Sequence, residues 1–78
     1  MYSLCDSIEN YIIRLIDNSP NQTITIQRGK LANEFDCAPS QINYVLTTRF
    51  NVFRGFVVES RRGGSGYIRI MRVPIDRL

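Results

Sequence analysis

The chain has to turn at Asp36-Cys37-Ala38-Pro39, and the residues on either side of that turn limit what it can fold into. Pro39 lacks an amide hydrogen and suits a helix start, and Ser40 behind it reads as an N-cap whose hydroxyl can accept from the free amides of the first turn. At 100° per residue, Ile42, Val45, Leu46 and Arg49 then share one side of a helix running to Phe50. Ser40, Gln41, Tyr44, Thr47 and Thr48 fall on the other, with Asn43 at the border. That outward side carries no carboxylate, and one side chain after another can donate a hydrogen bond. Solvent-facing helices are usually salted with Glu and Lys. An uncharged face of this kind suits the reading of hydrogen-bonding edges such as those in the DNA major groove, and a merely solvated face is the competing reading. Before the turn, Leu31, Ala32 and Phe35 lie on one side of a short helix predicted from Arg28 to Phe35, with no good cap at its start. Asp36 is expected in the left-handed conformation that ends it. Short helix, tight turn and polar-faced helix make a helix-turn-helix layout, although many two-helix corners share the pattern.

Upstream, Ser3-Leu4-Cys5-Asp6 has the form of a capping box with Asp in place of Glu. Leu4, Ile8, Tyr11, Ile12, Leu15 and Ile16 then recur at helical spacing, which predicts an amphipathic first helix ending near Asn18-Ser19-Pro20-Asn21. Its apolar stripe is broad for so small a domain, so part of it is available to a second subunit. Thr23-Ile24-Thr25-Ile26 alternates as a short strand does. After Phe50, Asn51 to Arg54 reads as a less regular link. Gly55 to Ser60 and Tyr67 to Arg72 read as two strands joined through Arg61-Arg62-Gly63-Gly64-Ser65-Gly66, a hairpin or wing after the helix-turn-helix. Phe56, Val58, Ile68 and Ile70 supply its inward face. The tip has almost no side-chain bulk and two arginines beside it. Such a loop can enter a narrow minor groove, with Arg61 or Arg62 on phosphate or base edges, or it can be a plain surface turn. It joins two strands and opens no helix, which argues against a nucleotide-phosphate cradle.

Composition narrows the function. The 78 residues allow one small domain, with neither an 18-residue apolar run nor a secretion signal, so a cytoplasmic protein without membrane contact is expected. There is no His, which removes the commonest general base and leaves Cys5 and Cys37 too few to hold a metal. Two buried reduced thiols, no cofactor, no small-molecule substrate and no catalytic residue are the expectation. Charge is uneven: residues 1–39 carry three basic against five acidic side chains, net −2, and residues 40–78 seven against two, net +5. Nine of the ten basic residues are Arg, which suits planar recognition of phosphate or guanine. A polyanionic partner follows. The second reading is a winged-helix protein-interaction module without specific DNA readout.

Two strings carry a family resemblance. Arg28-x-x-Leu31-Ala32-x-x-Phe35-Asp36-Cys37-Ala38-Pro39-Ser40-Gln41-Ile42-Asn43-Tyr44-Val45 with Thr48-Arg49-Phe50, and Val58-Glu59-Ser60-Arg61-Arg62-Gly63-Gly64-Ser65-Gly66-Tyr67-Ile68-Arg69-Ile70, resemble the amino-terminal domain of CtsR, the class III stress-gene repressor family of Gram-positive bacteria. The resemblance implies an α+β, mainly helical, winged helix-turn-helix of three helices, a short strand and a β-hairpin wing, over residues 1–73. It implies a homodimeric repressor of clp protease and heat-shock genes on double-stranded DNA with a tandem-repeat operator, its helix in the major groove and its wing in the minor groove. By position, Ser40, Gln41, Asn43, Tyr44, Thr47, Thr48 and Arg49 would meet bases or flanking phosphates. Arg28 would meet the backbone, and Arg61, Arg62, Gly63, Gly64, Ser65 and Gly66 would form the minor-groove element. A protein-arginine kinase and a Clp ATPase are implied partners of the full-length protein, with residues 74–78 starting a linker to a carboxy-terminal domain. Ser65 departs from the family's run of four glycines. Arg49 falls with the apolar set, so it either snorkels to a phosphate or pairs with a carboxylate such as Glu34.

Overall fold

The computed structural model describes residues 3–61 and 66–73, arranged as α1 (Leu4–Asp17), β1 (Thr23–Gln27), α2 (Arg28–Glu34), α3 (Pro39–Arg49), β2 (Phe56–Ser60) and β3 (Tyr67–Arg72). The capping box forms as the sequence predicts: the Asp6 amide donates to Ser3 Oγ at 3.1 Å and the Ser3 amide to Asp6 Oδ2 at 3.3 Å. Two of the orphan donors at the start of α1 are satisfied this way. Asp36 takes the expected left-handed conformation, φ 52°, after α2.

The start of α3 differs from expectation. Ala38 occupies the N-cap position without a side-chain hydrogen bond, Pro39 is the first helical residue, and Ser40 lies exposed inside the first turn. Pro39 explains the shift, because its fixed φ and missing N–H fit the first helical position, and this puts Ser40 two places past the cap. The link after Phe50 is also more regular than predicted. Val52–Arg54 form a 3₁₀ turn in which the Arg54 amide donates to the Asn51 side chain and carbonyl, and buried Gly55 ends it at φ 87°. A Cβ there would force the strained left-handed region.

The three strands form one antiparallel sheet in the order β1-β3-β2. β3 is central, so the wing's second strand is held on both sides. Its register aligns Ile24, Ile70 and Val58 across the sheet, and likewise Ile26, Ile68 and Ser60. One sheet face thereby presents Ile68, Ile70 and Phe56 to the helices, as the period-two pattern predicts. Ile8, Ile12 and Ile16 from α1, with Ile42 and Val45 from α3, complete the layer of side chains with almost no solvent exposure. Two edge-to-face aromatic pairs close the ends: Tyr11 with Phe35 at 5.4 Å, and Phe50 with Phe56 at 4.8 Å. Both cysteines are half-buried against this core rather than fully enclosed.

Ile42 joins α3 to this single core and has no solvent exposure. Ile42→Ala is expected to cost about 2–5 kcal/mol, a large share of what a domain this size possesses. Urea denaturation followed by circular dichroism measures it, and a loss under about 1 kcal/mol would mean that the site collapses around the smaller side chain.

Candidate nucleic-acid interface

Helix α3 turns Ile42, Val45 and Leu46 inward, and this burial fixes which residues face out. Ser40, Asn43, Tyr44, Thr47 and Thr48 are exposed, Tyr44 at 58%. The face is uncharged, as the sequence indicates, yet it offers fewer donors. Thr47 Oγ1 donates to the Asn43 carbonyl at 2.9 Å and Thr48 Oγ1 to the Tyr44 carbonyl at 2.7 Å. With these hydroxyl hydrogens spent on the backbone, both threonines present methyl groups and acceptor lone pairs.

Gln41 departs from the outward set. It is half-buried, and its Nε2 donates to Cys5 Sγ of α1 at 3.7 Å. Arg49, expected first at a phosphate, is held by carboxylates instead, and by other partners than Glu34: Nη1 pairs with Asp6 Oδ1 at 3.0 Å and with Glu9, both on α1. The physical reason is the one its helical position suggests. An Arg on the apolar side of α3 faces α1, where Asp6 and Glu9 line the edge of the buried stripe. Glu9 is only 18% exposed at its side chain, and Arg54 approaches its other oxygen at 3.7 Å. Asp6, Glu9 and Arg54 escaped the sequence reading as site residues. The signal that could have found them is the need of a semi-buried guanidinium for carboxylates on the neighbouring helix.

Arg28 begins α2 at the root of the wing. Its amide donates to the Gly66 carbonyl at 3.2 Å, and its Nη2 to Ser60 Oγ at 3.2 Å. Its Nε is buried without a partner among the described residues. Arg61 is exposed and closes the hairpin, its amide donating to the Tyr67 carbonyl at 2.9 Å. Gly66 adopts φ 64°, a conformation that suits glycine. Arg62, Gly63, Gly64 and Ser65 lie outside the described residues. Across the sheet, Arg69 and Glu59 form an exposed pair at 3.8 Å. Arg72 binds Asp17 at 2.8 Å and lies over the Phe56 ring. The structure thus brings together the α3 face, Arg28 and the wing base, and turns Gln41 and Arg49 toward α1. Among the described residues there is no cluster of three or more potential metal ligands, and no helix is long and apolar enough to cross a membrane.

A helix-turn-helix backed by a three-stranded sheet, with a hairpin beside its polar-faced helix, defines a winged helix-turn-helix domain. A family profile, the CtsR N-terminal HTH domain, matches residues 3–74. The chain belongs to that family, which is one of transcriptional regulators and not of enzymes. It is 51% identical over 73 residues to the transcriptional regulator CtsR of Geobacillus stearothermophilus, covering 94% of this chain and 48% of the relative. It is 45% identical over 75 residues to that of Bacillus subtilis strain 168, covering 96% and 49%. A crystal structure of CtsR in complex with a 26-bp DNA duplex superposes with a TM-score of 0.90 at 48% identity, over 96% of this chain and 50% of that one. The chain therefore spans about half the length of the curated relatives it matches.

The Arg49 guanidinium, followed by the Ser3 amide, holds the Asp6 carboxyl below its ordinary value of 3.8, and Asp6 and then Glu9 raise Arg49 in turn. A carboxyl lowered only in the folded state stabilises the fold fully above its unfolded pKa. That contribution is lost as pH falls through the folded value. Asp6→Asn is therefore expected to lower the thermal midpoint at neutral pH and to flatten its decline below about pH 4. Thermal melts of both proteins across that range test this, and parallel acid profiles would count against it.

Proposed function

We propose that this chain is the sequence-specific DNA-binding domain of a transcriptional repressor. The observation that carries the reading is the exposed, uncharged α3 face of Ser40, Asn43, Tyr44, Thr47 and Thr48, whose Asn43 and Thr47 line one cleft with Val57, Val58 and Ser60 of the wing. Asn43 can bond an adenine edge bidentately, and the threonine methyls left outward by the backbone-bonded hydroxyls suit thymine methyl groups. Arg61 at the wing base, with Arg62 beyond it, would reach phosphates or the minor groove, and Arg28 would meet the backbone. Arginine contacts to phosphate would supply most of the affinity, and base contacts the selectivity. Action as a homodimer on a tandem-repeat operator of clp and heat-shock genes, with a protein-arginine kinase and a Clp ATPase as partners, rests on the family resemblance. So do the minor-groove roles of Gly63, Gly64, Ser65 and Gly66. One observation favours a protein contact in addition: Val52 and Phe53 stand 68% and 94% exposed on the 3₁₀ turn after α3.

Fluorescence anisotropy with a duplex bearing the tandem heptamer repeat, against a scrambled duplex of equal composition, tests the reading at two salt concentrations. The repeat should bind at least about tenfold tighter, and both should weaken steeply with salt. Asn43→Ala should cost about 1–3 kcal/mol on the repeat and almost nothing on the scrambled duplex. Equal losses on both would remove Asn43 from base readout.

A further inference from the structure

Both ends of α3 are tied to one short stretch of α1. Near its start Gln41 bonds Cys5, and at its last residue Arg49 is held by Asp6 and Glu9. Between these ties α3 buries the apolar side chains of Ile42, Val45 and Leu46. Apolar ridges alone leave considerable scatter in how two helices cross. A guanidinium bridging two carboxylates has a defined direction, because its donors are fixed in a planar fork. The Glu9 side chain is 18% exposed and that of Arg49 28%, so water screens this link less than it would a surface pair.

The length of α3 makes its seat important. Eleven residues span about 16 Å, so a tilt of roughly 5° moves the far end by more than 1 Å. Hydrogen bonds to base edges tolerate only a few tenths of an ångström, whereas attraction to phosphates falls off slowly over about 8–10 Å. Loosening the seat should therefore erode discrimination before it erodes general affinity.

We propose that Glu9, together with Asp6, is a positioning residue for sequence discrimination: through Arg49 it sets the angle of α3 on α1 without itself meeting nucleic acid. This rests on the DNA-binding reading above. Arg49 on this account orients the helix and is not a phosphate contact. Asp6 also caps α1, so Glu9 is the residue to vary.

The test compares the parent chain, Glu9→Asp and Arg49→Gln on the repeat and scrambled duplexes, with circular dichroism confirming the fold. Glu9→Asp keeps the net charge and withdraws the carboxylate by one methylene. It is expected to reduce the preference for the repeat about tenfold, leaving scrambled-duplex affinity and the salt slope unchanged. Arg49→Gln removes the charge that both carboxylates hold and should lose preference at least as far, with the salt slope unchanged. A preference in Glu9→Asp within about twofold of the parent overturns the inference. So does an Arg49→Gln variant that weakens both duplexes alike with a salt slope shallower by about one, since that is the behaviour of a phosphate contact. A parent chain with no preference at all overturns the DNA-binding reading and this inference with it, whereas a selective parent beside an unaffected Glu9→Asp overturns the inference alone.

Discussion

The Asp6 carboxylate has two oxygens, and each holds a different part of the domain. Oδ2 accepts from the Ser3 amide and closes the first turn of α1, while Oδ1 accepts from Arg49 at the far end of α3. One side chain thus begins the first helix and seats the third. Around it the remaining structure follows from burial. The Ile8, Ile12 and Ile16 stripe supplies the surface that α3 packs against. With Ile42, Val45 and Leu46 committed inward, α3 has no choice about what it shows outside. Its exposed face is uncharged because the charge that belongs to this helix, Arg49, is neutralised on the α1 side.

Much of this was legible in the residues. The capping box, the first helix and its end, the left-handed Asp36 and the inward set of the wing all come from local chemistry or from a period of two or 3.6 residues. Sequence spacing determines these directly. What was not legible depends on contacts distant in the chain. The pairing of β1 with β3 joins residues forty or more positions apart, and no pattern in Thr23–Gln27 names its partner. Arg49 was placed correctly on the apolar side of α3, but its partners lie forty and forty-three positions away on another helix. Choosing Glu34 as a candidate assumed that α2 lies across from it, and α1 lies there instead.

The α3 face shows a different kind of shortfall. Counting side-chain donors gave a surface rich in hydrogen-bond donors, and every residue type was read correctly. Helical geometry then let Thr47 and Thr48 turn their hydroxyls back onto carbonyls one turn earlier. Gln41 was counted outward from its angle alone, yet its side chain is long enough to fold toward Cys5. Ser40 lost its cap role to a two-residue shift imposed by Pro39. In each case the residue was in the right element, and a local hydrogen bond or steric rule changed what it offers.

The base of the wing is joined to the body by more than a hairpin. β3 lies between β1 and β2, and Gly66 receives the amide of Arg28, the first residue of α2. A surface carried on a tether and a surface carried on the body must each lose their own freedom when both are engaged. Here the wing base is bonded to the first residue of α2, and α2 packs on α3, so engagement of both would sacrifice rigid-body translation and rotation once. The second contact is then made at little entropic cost, and its strength adds to the first almost undiminished.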